Sequence, residues 1–389
     1  MFMYKFNIRL ISLLLFGYIL IPAIVLADHD NYGAAFLKTG AGARMAGMAG
    51  AGATLSDDIS SVCWNPAGLA MVEKSALLLG SDDLPGDTCQ QYLSYGWPWK
   101  GRTLCIGMML RNTEGGEKRG GRNDAPDGNV EASDLLASFG YAANLSSMSS
   151  AGIVGKFVQE RLSSYDDHAF AVDVGWLYDA QPLRFALGLQ NMGGKLKFIR
   201  QETSLPLLLR AGIGYCPSSK KMMIGFDTDM FLYENRAKLK IGMERWLLDN
   251  LALRVGYQYD MENTPEDRYS FGIGFKQHDW QIDYAYAPYH ELGDAHHISV
   301  IYSKESIPIP YLLIEMEDIF PSKYKRYASK SAGKLKITNT TNQTLSRIKV
   351  KIFVPEYMNL PTEYEVHEIN PGDSKEIPLK PVFNNNIFS

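Results

Sequence analysis

The chain has 389 residues, 46 % of them hydrophobic, and a formal net charge of −4. That balance leaves no basic footprint for nucleic acid. A mean hydropathy of −0.16 is too polar for a bundle of membrane helices, and the length allows a large domain plus a smaller one.

Lys5 and Arg9 precede an apolar stretch from Leu10 to Leu26, and Val25-Leu26-Ala27 sets small or aliphatic residues at a cleavage site. Residues 1–27 therefore read as a signal peptide, with an uncleaved anchor helix as the alternative. No later run is long and apolar enough to span as a helix.

Residues 28–74 read as a hatch or plug. Gly40 to Gly52 is almost entirely small residues. It lacks the Lys-Ser/Thr and the βαβ frame of a phosphate-binding loop, so the glycines are expected to let backbone pack closely against a wall. Asp57 or Asp58 can cap one short helical turn, and Asn65 before Pro66 reads as the cap and preset first residue of a second.

From 75 to 303 one unit recurs about fourteen times, an alternating apolar/polar run of roughly ten residues followed by a break. In Leu251–Tyr259, Leu251, Leu253, Val255, Tyr257 and Tyr259 share one face, while Ala252, Arg254, Gly256 and Gln258 share the other. A soluble sandwich has the same period, but two features favour a closed transmembrane barrel. The apolar face is rich in Tyr, Phe and Trp, as interfacial girdles require. The polar face carries full charges, namely Asp173, Arg210, Asp227, Asp229, Lys240, Glu244, Arg254 and Asp283; these fit a lumen better than lipid. Breaks after even strands are tight (Pro98–Gly101, Asp179–Pro182, Pro217–Lys220, Leu247–Asp249, Gln277–Asp279). Those after odd strands are mostly longer (Asn112–Glu131, Met192–Ser204, Asp260–Asp267, Pro288–Asp294). Outer-membrane barrels keep short turns in the periplasm, so both barrel ends are expected there.

The stretch Gly42–Ala70, "GARMAGMAGAGATLSDDISSVCWNPAGLA", resembles the N-terminal signature of PorV/PorQ-type outer-membrane proteins, relatives of the FadL family of long-chain fatty-acid transporters. Gly188-Leu189-Gln190-Asn191-Met192-Gly193 looks like the same family. The resemblance covers roughly 33–302 and implies a fourteen-stranded barrel with an N-terminal hatch. Asp57, Asp58, Trp64, Asn65, Pro66, Gly68 and Leu69 are then the hatch motif. It also implies either passage of hydrophobic small molecules or, as in PorV-like members, a part in type IX protein secretion.

Residues 304–310, with Ile307-Pro308-Ile309-Pro310, read as a stiff linker. Beyond it, 311–389 resembles part of an immunoglobulin-like periplasmic module, with strand-like Gly333–Thr338, Arg347–Val354 and Glu376–Leu379. Those are too few strands to complete a sandwich.

Catalysis has little support. His290-Glu291 with Asp294, His296 and His297 is the one cluster of metal-ligand residue types, but its spacing is not HExxH and it reads as a solvated loop. No G-x-S-x-G occurs, and Cys63, Cys89, Cys105 and Cys216 have no CxxC spacing and read as separately packed residues. The expectation is therefore an outer-membrane barrel with no enzyme activity, no metal and no cofactor. It sits in outer-membrane lipid and takes a hydrophobic small-molecule ligand or, through 311–389, a periplasmic or secreted protein partner.

Overall fold

The computed structural model describes residues 33–99, 101–118, 128–163, 165–198, 201–261, 268–289, 293–304, 311–339 and 344–388. The expected signal peptide, most of the linker, and His290 and Glu291 lie outside these residues. The chain divides into two compact units, Met1–Ser306 and Ile307–Ser389.

The first unit is a closed antiparallel barrel of fourteen strands. They are β1 (Ser75–Leu84), β2 (Thr88–Trp99), β3 (Arg102–Lys118), β4 (Gly128–Asn144), β5 (Ser149–Leu162), β6 (Tyr165–Ala180) and β7 (Leu183–Gly193), then β10 (Leu208–Tyr215), β11 (Met222–Phe231), β12 (Arg236–Trp246), β13 (Leu251–Asp260), β14 (Arg268–Gln277), β15 (Trp280–Pro288) and β16 (Asp294–Lys304). A small hairpin, β8 (Lys195–Phe198) and β9 (Gln201–Ser204), stands between the seventh and eighth barrel strands. Pairing of β1 with β16, Leu78 opposite Ile301, closes the wall and removes every edge.

Side-chain direction follows the alternation. Along β13 the even positions from Ala252 to Asp260 are buried, while Leu253, Val255 and Tyr259 are exposed. Around the wall, Ile241, Ile273, Ile282 and Ile298 also point outward. Aromatic pairs flank this belt: Trp176 on Tyr178 and Trp280 on Tyr302 near the tight-turn end, Tyr257 on Tyr269 near the other. An apolar exterior between aromatic bands is the surface of a barrel standing in lipid.

Three expected loops are partly strand. The break expected over Asn112–Glu131 is shortened because β3 runs on to Lys118 and β4 starts at Gly128, with a bulge between Thr113 and Gly116. Asn-Thr-Glu-Gly-Gly-Glu-Lys carries no apolar alternation, so only the ladder reveals it as strand. Met192–Ser204 likewise contains the β8–β9 hairpin. Asp294, expected in a loop, begins β16.

The second unit holds a three-stranded sheet in the order β17 (Tyr311–Met316), β18 (Gly333–Thr338), β21 (Ser374–Leu379). A second sheet pairs β19 (Leu345–Ile352) with β20 (Thr362–Ile369). Leu335, Ile337, Val366, Ile369, Ile377 and Leu379 form the core between them. Three of these five strands, β18, β19 and β21, coincide in part with the strand-like stretches of the sequence. The other two do not: β17 lacks alternation, and β20, Thr-Glu-Tyr-Glu-Val-His-Glu-Ile, alternates but is dominated by charge.

Candidate functional site: the barrel lumen

The segment 33–74 lies inside the barrel, because its polar groups meet strands on every side. The amide N–H of Ala43, Ala49 and Ala53 donate to Ser299 (3.2 Å), Ser270 (2.7 Å) and Asp227 (2.7 Å). Gln90 donates to the Gly40 carbonyl at 3.0 Å, and Ser150 donates to the Ala67 carbonyl at 3.1 Å. Short helical pieces at Ala43–Ala46, Ser61–Trp64 and Pro66–Met71 carry this path. Glycines set the spacing: a Cβ on Gly47 would lie 2.9 Å from the Gly272 Cα, backbone against backbone.

The residues expected to form a hatch motif lie within this segment. Trp64 is buried, its indole N–H donates to the Ala41 carbonyl at 2.8 Å, and Gly40, Gly50 and Gly52 press on its ring. The Arg210 guanidinium and the Lys240 ammonium sit 5.3 and 5.8 Å from that ring, within cation–π range. Asn65 caps the turn begun by Pro66, accepting from the Ala67 N–H at 3.1 Å, and its amide donates to the Ala53 carbonyl at 3.0 Å. Gly68 packs so closely on Ser61 that a Cβ would come within 2.7 Å of its Oγ. Leu69 joins the apolar cluster. Asp58 accepts from the Ser60 N–H at 2.8 Å, but Ser60 is the N-cap of Ser61–Trp64 and no side chain caps that turn, so neither Asp57 nor Asp58 takes the expected capping place.

Asp57 turns instead to Arg44, a residue the sequence reading passed over. Arg44 is the only charge between Thr39 and Ser56, which is the one signal that could have marked it. Its guanidinium donates to both oxygens of Glu244 on β12 at 2.8 and 2.9 Å, and to Asp57 and Asp58, each at 2.8 Å. One side chain thus ties the early and late parts of the segment to the wall.

Charges continue along the wall. Arg210 holds Asp229 through two bonds, at 2.6 and 2.8 Å, and Lys240 meets the same carboxylate at 2.6 Å. Arg254 bridges Glu244 (2.7 Å) and Asp283 (2.8 Å), while Asp173 pairs with Lys156 at 2.6 Å. Asp173, Arg210, Asp227, Asp229, Glu244, Arg254 and Asp283 are all buried, turned inward on β6 and β10–β15. The opposite wall differs. From β1 to β5 the inward face carries an apolar set, Leu78, Tyr92, Met109, Leu136, Val154 and Val158, which meets Phe36, Ile59 and Leu69 of the segment and is interleaved with the buried polar side chains of Asp82, Gln90, Ser94, Thr103, Ser150 and Lys156.

Two cavities flank the segment. One, of about 310 Å³, lies between Trp64, Lys240, Gln258, Arg268, Tyr269 and Tyr289. The other, of about 440 Å³, lies toward the tight turns beside Arg44, Asp57, Lys220, Glu244 and Trp246.

Burial alone would raise the Asp57 carboxyl, but Arg44 and Lys220 overcome it and hold its pKa below the ordinary carboxylate range. A depressed folded-state pKa contributes stability that is present above the unfolded value and lost as pH falls through the folded one. The anchoring of 33–74 should therefore weaken progressively below about pH 4. Hydrogen exchange of this segment at pH 6 and pH 3 checks it; equal protection would show that Asp57 is not an anchor.

The histidines do not form a centre. His297 faces inward, its Nδ1 3.0 Å from Asp82, and His296 faces outward, 2.7 Å from the Tyr284 hydroxyl. Among the described residues no group of three or more His, Cys, Asp and Glu is arranged to hold a metal ion. All four cysteines are free, and burial pushes the Cys63 thiol up to about 11.

No protein-family model matches the chain, and no curated protein matches it either. Solved structures do. The CymD monoaromatic hydrocarbon channel is 16 % identical with a TM-score of 0.54, over 69 % of this chain and 98 % of its own. The Ralstonia pickettii toluene transporter TbuX is 14 % identical with a TM-score of 0.54, over 68 % and 98 %. The Pseudomonas putida toluene transporter TodX is 14 % identical with a TM-score of 0.52, over 69 % and 98 %. At these identities the likeness is one of fold: the barrel unit of this chain has the fold of these channels.

Proposed function

We propose that this protein is a bacterial outer-membrane channel for hydrophobic small molecules, with residues 33–74 acting as its hatch. The observation that carries the reading is the division of the lumen. An apolar cluster on β1–β5, interleaved with polar side chains such as Asp82, Gln90 and Lys156, faces the seated segment, while ion pairs centred on β10–β15 hold that segment in place. An apolar solute gains about 25 cal/mol for each Å² removed from water along that cluster and nothing from the ion pairs. Three channels of the same fold, named for toluene or monoaromatic hydrocarbons, support this reading. The lumen residues are assigned as anchors of the hatch, not catalytic groups, and the reading is FadL-like.

A PorV/PorQ-like role in protein secretion is the second reading. It is supported by the Trp64-Asn65-Pro66-Ala67-Gly68-Leu69 resemblance and by the presence of a second β-sheet unit, which we read as an immunoglobulin-like module on the periplasmic side. The test is uptake by proteoliposomes of a graded panel running from toluene to a long-chain fatty acid. Saturable uptake is expected for at least one, and none across the panel would sink the channel reading. Met109→Lys, in the apolar cluster, should cut uptake about tenfold or more by placing an unpaired charge on the route, with the heat-modifiable gel shift showing an intact barrel.

A further inference from the structure

Among the described residues, the three-stranded sheet of the second unit ends at β17, which pairs there with β18 alone. Natural edge strands are guarded by charge, proline or bulges. This one reads Tyr-Leu-Leu-Ile-Glu-Met, and every residue is exposed: Leu312 53 %, Leu313 39 %, Ile314 61 % and Met316 49 %. Leu312 and Ile314 stand opposite Ile337 and Leu335, so they lie on the core face of the sheet, uncovered among the described residues.

The hydrogen-bond phase of this edge is determined. The Glu317 N–H donates to the Ala332 carbonyl at 2.9 Å, which makes 317, and by alternation 315, 313 and 311, the residues bonded to β18. The backbone N–H and C=O groups of Leu312, Ile314 and Met316 therefore point to the open side. A second copy of the same strand, run antiparallel, fits that phase when Leu312 is set against Ile314 of the other copy. Both members of each such pair then present their free backbone groups to one another. Leu313 falls opposite its own counterpart as a close, non-hydrogen-bonded pair, and Tyr311 falls opposite Glu315. Shifting the register by two residues in the other direction sets Leu313 against Glu315 twice, burying a carboxylate against an apolar side chain.

We propose that the protein is a two-fold homodimer joined through β17, forming one continuous six-stranded sheet across two copies. The apolar pattern around Leu313 reads the same in both directions, which is the self-complementarity an isologous contact requires. Confinement of both copies to one bilayer raises their effective concentration, which offsets the small area that one strand pair buries.

The full-length protein in detergent, carrying Cys89→Ser to remove the exposed thiol, tests this. Leu313→Cys should cross-link to dimer on mild oxidation, because a non-hydrogen-bonded pair places its Cα atoms about 4.5 Å apart, within disulfide range. Met316→Cys, offset by six residues from its counterpart, should not. Ile314→Lys should shift the light-scattering mass of the parent chain from dimer to monomer and raise the dissociation constant at least tenfold, with the barrel still heat-modifiable. A monomeric parent protein, equal cross-linking at 313 and 316, or β17 occupied by a different protein in the purified complex would each overturn the proposal. None of these outcomes bears on solute uptake, so the channel reading stands or falls separately.

Discussion

Arg44→Met should release the inner segment while leaving the barrel closed. The guanidinium makes four charge-assisted bonds to three carboxylates, and these compensate its burial. Burial lowers its pKa, and Glu244, Asp57 and Asp58 more than restore it, to well above the ordinary arginine value. Losing charge-assisted hydrogen bonds of this kind costs about 3 kcal/mol. Arg254 still faces Glu244 at 2.7 Å and Lys220 still faces Asp57 at 2.7 Å, so the loss is in attachment and not in leaving bare charge. That energy corresponds to about a hundredfold more opening of the segment. Hydrogen exchange over 40–60 should accelerate accordingly, and single-channel conductance should rise. Arg44→Lys should recover part of the effect only, since one ammonium cannot reach three carboxylates in the planar fork that a guanidinium offers. Wild-type protection in Arg44→Met would show that other contacts hold the segment.

Trp64→Ala should be more damaging. The ring fills the space between Gly40, Gly50 and Gly52 and lies under two cations, so its removal leaves a cavity lined by backbone and a charged pair. Loss of a buried tryptophan costs about 3–5 kcal/mol. The expected result is loss of protection across the whole of 33–74, where Arg44→Met loosens one attachment. Trp64→Phe should restore most of the packing but not the bond from the indole N–H to the Ala41 carbonyl. A Trp64→Ala protein whose inner segment exchanges as slowly as wild type would mean the ring is not its pivot.

The barrel was legible because strand period is a local property. Alternation along Leu251–Asp260 says which side chains face lipid, and the fourteen-fold recurrence says that the wall closes. The extended parts of β3 and β4 were not legible, because Asn112–Lys118 has no apolar alternation to read and is held as strand by its neighbour. Trp64, Asn65 and Pro66 were visible as a motif, yet their partners were not. Arg44 and Glu244 are 200 residues apart, and no periodicity relates two such positions.

What the sequence determined by itself was the fold class, the facing of each strand and the presence of an N-terminal segment unlike the rest. These follow from alternation, glycine and turn chemistry within a few residues. The tertiary structure alone decided which inward side chains pair across strands, that Arg44 ties the inner segment to the wall, and that β17 stands at the edge of its sheet among the described residues. Each of those depends on which strand stands beside which, a matter of ring closure and pairing between distant segments that local pattern does not encode.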